Sequence, residues 1–195
     1  MQSQVIPRFI HVCGKRVYVS PIIEKMNSIF NENGPADPAI HEWDYGVPWY
    51  PTPLEKIPWI IENFHIRSNT SYCELGVGDC RIPYFIAKTA DKSVSLAGFE
   101  IRKSMMKYAT NLLKQEGLQN RISVIQKNVF QDGLSKMKDA DYVYFYMYDG
   151  KDESIAGRIG KILKPGTIVI NKGWPIELWK EKLVSQFVDF YKYII

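Results

Sequence analysis

The chain is poor in the residues that build covalent or metal scaffolds. It has three cysteines, Cys13, Cys73 and Cys80, an odd set in which no pair has the Cys-x-x-Cys spacing. Neither a disulfide framework nor a zinc knuckle is therefore expected, and free thiols in a reducing, cytoplasmic setting are. The three histidines, His11, His41 and His65, follow no ligand spacing, so no metal site is expected. No apolar run approaches the roughly 18 to 20 residues of a membrane span, and Pro7, Arg8 and His11 interrupt the N-terminal apolar stretch, which argues against a signal peptide as well. Long charge runs of one sign, internal repeats and low-complexity tracts are missing too. The net charge of +4 is dispersed, so it neither implies nor excludes a nucleic-acid partner. What is present, 46% hydrophobic and 24% charged residues, is the balance of an ordinary globular chain. Its 195 residues suffice for one core with attachments and are too few for two catalytic domains.

The periodicity changes near residue 47. Before it, residues 5–12 and 16–19 read as strands around a turn at Cys13-Gly14-Lys15, and 21–30 as an amphipathic helix stopped by Asn33-Gly34-Pro35. A stretch rich in proline and aromatics follows, with Trp43, Tyr45, Trp49 and Tyr50, and reads as an ordered loop. Residues 1–46 are thus expected to form an N-terminal extension and 47–195 the main domain. In the latter, Thr52 is placed to N-cap a helix with Pro53 at its first position, and Pro58 should kink that helix or delay its regular start. Strands at 71–76, 93–100, 121–127, 141–148 and 167–171 alternate with helices at 81–89, 103–116 and 153–163, the second closed by Gly117. Such alternation means βαβ crossovers: a doubly wound, mostly parallel α/β sheet covered on both faces. A short helix near 175–180 and one or two strands within 182–195 should form the sheet edge.

In such a sheet, ligands bind where the first strand turns into the first helix. Here that turn is Glu74-Leu75-Gly76-Val77-Gly78-Asp79-Cys80-Arg81. Gly76 and Gly78 let the backbone approach a ligand and take positive φ, and an acidic residue, Glu100, ends the next strand where a ribose diol would lie. Arg81 stands where the dinucleotide fingerprint needs its third glycine, which disfavours a nicotinamide cofactor. Glu74 beside the turn suits a ligand with a cationic amine better than a diphosphate. S-adenosylmethionine carries such an amine.

Glu74 to Asp79 resembles motif I of the class I, seven-stranded S-adenosylmethionine-dependent methyltransferases, and Gly98-Phe99-Glu100 resembles their acidic post-I motif. Lys127-Asn128-Val129-Phe130 and Leu163-Lys164-Pro165-Gly166-Thr167 continue the likeness, which covers residues 47–171. It implies a Rossmann-like, seven-stranded sheet carrying a hairpin-helix extension. It implies a cofactor site of Glu74, Gly76 and Gly78 around the methionine moiety, Glu100 on the ribose hydroxyls and Asn128 with Val129 at the adenine, with Asp79 and Ile101 also among the cofactor-binding residues. Cys80 departs from the pattern, since many members have glycine there. Within the superfamily, Val47-Pro48-Trp49-Tyr50-Pro51-Thr52-Pro53, with Gly78-Asp79-Cys80-Arg81 downstream, is similar to the archaeal broad-specificity protein lysine methyltransferases and their mitochondrial relatives. That likeness implies a protein lysine as acceptor, and Trp49, Tyr50, Tyr146, Tyr148 and Trp174 as candidate walls of a channel whose ring faces would hold an ammonium.

Methyl transfer asks mainly for alignment of nucleophile and methyl group and for exclusion of water. A lysine acceptor must also lose a proton. Asp149, Tyr148 and Glu42 are candidates to assist, and the sequence selects none of them. Two plainer readings stand beside these: Glu100 capping the following helix, and Tyr142, Tyr144 and Tyr146 as packing on one strand face. The fourth strand is followed by Tyr148-Asp149-Gly150 and not by the Asn/Asp-Pro-Pro-Tyr/Phe of amino-methylating DNA enzymes, and no Pro-Cys pair supplies a carbon-5 cytosine nucleophile. RNA or a small molecule remains open as acceptor, as does a non-catalytic binding or assembly role on the same fold.

Overall fold

The computed structural model describes residues 8–33, 50–130, 134–146 and 152–195. The chain opens with a hairpin, β1 (Phe9–Val12) and β2 (Lys15–Tyr18), followed by α1 (Pro21–Asn33). A 3-10 turn over Leu54–Lys56 leads into α2 (Ile57–Phe64). Next come β3 (Ser71–Leu75), α3 (Arg81–Thr89), β4 (Ser95–Glu100), α4 (Lys103–Gln115) and β5 (Ile122–Gln126). The second half holds a 3-10 turn at Leu134–Met137, β6 (Tyr142–Tyr146), α5 (Asp152–Ile159), β7 (Ile168–Lys172), a 3-10 segment at Glu177–Lys182, and the strands β8 (Leu183–Phe187) and β9 (Phe190–Ile194).

The main sheet has seven strands in the order β5-β4-β3-β6-β7-β9-β8. The first five are parallel and β9 runs antiparallel to both β7 and β8, so the expected mostly parallel α/β sheet is the one that forms. The chain steps outward from β3 to β5 and returns to β6 beside β3. The order therefore reverses between β3 and β6, and the carboxyl ends of strands at such a switch point are where doubly wound sheets bind ligands.

Period-two alternation divides the side chains. Tyr72, Tyr142, Tyr144 and Ile170 join Ile57, Ile60, Phe85 and Leu112 on one face. Cys73, Leu75, Val143, Phe145 and Val169 join Ile155, Ile159 and Trp179 on the other. Val12, Val17, Val19 and Ile23 belong to the first cluster, so the hairpin and the start of α1 share the core of the main domain. The helix α4 closes with a Schellman motif, in which Gly117 at φ 67° donates to the Lys114 carbonyl and Leu118 to that of Leu113.

Several expected boundaries shift for local reasons. The strand expected from residue 93 begins at Ser95, because Asp91 accepts the Ser93 amide on its side chain and the Val94 amide on its carbonyl, forming a turn. Thr52 does not cap a helix. Its hydroxyl pairs with the Tyr144 hydroxyl at 2.9 Å in the interior, and α2 opens four residues later than Pro53 with Pro58 in its first turn, where the missing amide costs nothing. Among the described residues, no helix is long and apolar enough to cross a membrane, and no group of three or more His, Cys, Asp or Glu residues could hold a metal ion. All three cysteines are free, Cys73 and Cys80 buried and Cys13 exposed.

The β8–β9 hairpin turns through Val188, a β-branched residue at φ 57° that is 65% exposed. Left-handed backbone costs an L-residue about 1–2 kcal/mol, and least for asparagine or glycine. Val188→Asn is expected to stabilise the protein by about 1 kcal/mol, seen as a higher urea midpoint at unchanged slope. An unchanged or lower midpoint would show that the turn is not strained.

Candidate active site

The turn between β3 and α3 is pinned to the neighbouring strand. The amides of Gly76 and Val77 both donate to the Phe99 carbonyl at 2.9 Å, and Cys80 donates to the Val77 carbonyl at 2.9 Å. Gly76, Gly78 and Cys80 take φ of 71°, 55° and 67°. Cys80 thus adopts the left-handed conformation that a glycine would take at that place, and the turn keeps its path at a local cost of about 1–2 kcal/mol. Its thiol is buried, and burial, with Glu74 and Asp79 nearby, pushes the pKa well up, so it is an inert packing group. Gly98 on β4 lies directly under Val77: a Cβ there would fall 2.6 Å from Val77 Cγ2.

Three buried carboxylates surround this turn. Glu74, on β3 in register with Gly98 and Tyr144, is 4% exposed and accepts a hydrogen bond from the Tyr72 hydroxyl at 2.9 Å. Burial drives its pKa well above the usual carboxylate range; Tyr72 and Arg81 oppose the rise, and Asp79 and Glu100 add to it. Asp79 is held by Arg81, whose Nε and Nη2 donate to it at 2.9 and 2.7 Å. Glu100 accepts the amides of Gly78, Ile101 and Arg102 at 2.9, 2.8 and 2.9 Å. Burial raises its pKa and these amides hold it down.

The structure therefore brings Glu74, Gly76, Gly78, Asp79, Glu100 and Ile101 together around the β3–α3 turn. Glu100 is spent largely on the backbone amides of Gly78, Ile101 and Arg102, all ahead of α4, so it does not cap that helix, whose N-cap residue is Arg102, and about one of its four lone-pair sites is left for a ligand hydroxyl. Val129 is buried and Asn128 half-buried beyond β5, with Asn128 Oδ1 accepting the Phe130 amide at 2.9 Å. Of the channel residues, Tyr50 meets Phe30 edge-on with ring centroids 5.7 Å apart, and Trp174 is 61% exposed after β7. Tyr146 already carries an ammonium: Lys172 Nζ lies 3.9 Å from its ring centroid and 3.0 Å from Asp189. Tyr142 and Tyr144 are packing residues, Tyr142 donating to the His65 carbonyl. Trp49, Tyr148, Asp149 and Glu42 lie outside the described residues.

Sequence reasoning missed Arg81, Asn27 and Thr52 as a polar unit, and Lys172 with Asp189 at Tyr146. Arg81 was visible as a missing glycine and as the last residue of Gly78-Asp79-Cys80-Arg81; its partners Asn27 and the Thr52 carbonyl are 54 and 29 positions away and left no local signal.

The chemistry of the turn suits S-adenosylmethionine. Positive-φ glycines leave the turn open to a backbone-close ligand, and Glu74 is a buried acid whose nearest hydrogen-bond partner is a phenol, an environment that a cationic amine would neutralise. No family model matches the chain. The fold is that of an RNA methyltransferase from Salinibacter ruber solved in complex with S-adenosyl-L-homocysteine, with a TM-score of 0.65 at 24% identity over 75% of this chain and 94% of that one. A protein-lysine N-methyltransferase of Saccharolobus islandicus (strain REY15A) is 29% identical over 144 residues, 73% of this chain and 86% of that protein. Fold and glycine turn agree: the chain has the fold of a methyltransferase solved with S-adenosyl-L-homocysteine, and its glycine turn stands at the switch point of that fold.

Proposed function

We propose that the protein transfers a methyl group to the side-chain nitrogen of lysine residues in protein. The likeness to the Saccharolobus protein-lysine N-methyltransferase, which extends over most of both chains, is the observation that supports this reading most.

When bound, the cofactor supplies a methyl group activated by a sulfonium. In this reading Glu74 receives the amine of its methionine moiety, the backbone of Gly76 to Asp79 runs beside that moiety, Glu100 and Ile101 meet the ribose, and Asn128 and Val129 flank the adenine. Tyr50 and Trp174 contribute ring faces toward the acceptor, where an ammonium gains cation–π attraction. Lys172 on Tyr146 is an instance of that attraction within the chain. Free lysine has a pKa of about 10.4, so the acceptor must shed a proton before its lone pair can align with the methyl group, and the chain's contribution is orientation and exclusion of water. Residues 1–46 serve as an extension bearing on substrate recognition, and the cytoplasm, where thiols stay reduced, is the compartment that suits its free cysteines.

The test begins with calorimetric titration of S-adenosylhomocysteine into the wild type and into Gly78→Arg, whose bulky side chain fills the turn. Labelled S-adenosylmethionine is then supplied with cell protein and, separately, with RNA. Binding at micromolar concentration that the variant loses, together with label on protein lysine, is the expected result. A wild type that labels RNA and leaves protein unlabelled would replace this reading with the second one, methylation of RNA. One surface favours that alternative: the outer face of the β1–β2 hairpin shows Phe9, His11, Arg16 and Tyr18, with Arg16 stacked 3.9 Å over Phe9, and residues 8–18 contain no acid.

A further inference from the structure

We propose that Arg81 is a positioning residue through which the N-terminal extension governs how long the cofactor stays bound. The inference rests on the cofactor reading of the β3–α3 turn.

The side chain of Arg81 is 4% exposed and that of Asp79 2%. On one side its guanidinium grips Asp79 through Nε and Nη2, and the Arg81 amide also reaches Asp79 Oδ1 at 3.3 Å, so the carboxylate at the end of the glycine turn is held from three nitrogens. On the other side Nη1 donates to Asn27 Oδ1 of α1 and to the Thr52 carbonyl, each at 2.9 Å. Thr52 in turn joins the Tyr144 hydroxyl, and Tyr144 stands opposite Glu74 in the β3–β6 register. One planar cation thus ties α1 and the segment before Leu54 to Asp79 at the end of the turn. The fork geometry is needed: a lysine ammonium could not span Asp79, Asn27 and the Thr52 carbonyl together.

This arrangement has a consequence that packing alone would not produce. If a ligand in the turn fixes Asp79, Arg81 is fixed with it and α1 is held more firmly. By linkage, α1 must then stabilise the ligand to the same degree.

The experiment uses the full chain. S-adenosylhomocysteine dissociation is followed by stopped flow in the wild type, Asn27→Ala and Arg81→Lys, and amide hydrogen exchange is measured over residues 21–33 with and without ligand. Alanine is the better helix former, so Asn27→Ala removes the link without weakening α1 itself, and it keeps the test open should Arg81→Lys fail to fold. The expected result is ligand-induced protection of α1 in the wild type, its loss in Asn27→Ala, and a dissociation rate raised about tenfold with association unchanged. A purely structural role would lower thermal stability and leave the dissociation rate alone. Equal rates and equal protection in wild type and Asn27→Ala would overturn the proposal while the cofactor reading stood. A folded wild type that binds no S-adenosylhomocysteine would overturn both.

Discussion

Gly98→Ala is expected to weaken S-adenosylhomocysteine binding by about fivefold or more, on the order of 1–3 kcal/mol, and to destabilise the protein by a similar amount. The new methyl group would lie 2.6, 2.7 and 3.0 Å from three atoms of Val77. Those atoms cannot swing aside, because Val77 is β-branched and stiff, is 3% exposed, and is tied through its amide to the Phe99 carbonyl. Relief must come from the backbone, and the backbone here is the turn between Gly76 and Gly78. Urea unfolding measures the stability loss, and calorimetry at equal folded fraction measures the binding loss. A variant that binds normally, whatever its midpoint, would show that the turn tolerates displacement and that its shape is not what holds the ligand.

Glu74→Gln should separate stability from binding, with opposite signs. Burial raises the Glu74 pKa in the folded state above its unfolded value, so the folded protein binds this proton more tightly. The stability this confers is fully present below the unfolded carboxylate pKa and is lost as pH rises through the folded value. Each unit of elevation costs about 1.4 kcal/mol once the pH is above it. Glutamine keeps the shape and can still accept from Tyr72 but carries no charge to bury, so the ligand-free variant should be more stable than the wild type at neutral pH and no more stable at pH 4. Its affinity for S-adenosylhomocysteine should fall by about 1.5–3 kcal/mol, the worth of a hydrogen bond to a charged group. In the wild type, pairing with the ligand amine favours the ionised form of Glu74. Binding should therefore release protons, visible as a dependence of the calorimetric enthalpy on buffer ionisation, and tighten as pH rises through the folded pKa. A variant that binds as well as the wild type would remove Glu74 from the amine site.

Much of this was legible in the chain itself. The period-two and helical patterns located every strand of the parallel sheet, and a strand before with a helix after marked Gly76 and Gly78 as more than a loop. Gly117 announced the end of α4 because a Schellman cap is a local structure. Even the Cys80 departure proved to be a local matter, a left-handed residue paid for by strain at one position.

Other assignments needed partners that only folding brings near. Thr52 read as a cap because its neighbours in sequence, Pro53 and Glu55, look like a helix start; its actual partner is Tyr144, 92 residues on. Tyr146 looked like an open ring for an incoming ammonium, and the β6–β7 register sets Lys172 upon it. Arg81 showed in sequence as a missing glycine and as the last residue of Gly78-Asp79-Cys80-Arg81, and the packing of α1 made it the link between extension and turn. The distinction is physical. Backbone periodicity, caps and glycine turns depend on interactions within a few residues, so the sequence by itself determined the fold class and the place of the glycine turn. The ionisation of Glu74, the amides that occupy Glu100 and the bonds of Arg81 depend on burial and on contacts across tens of residues, so only the tertiary structure decided them.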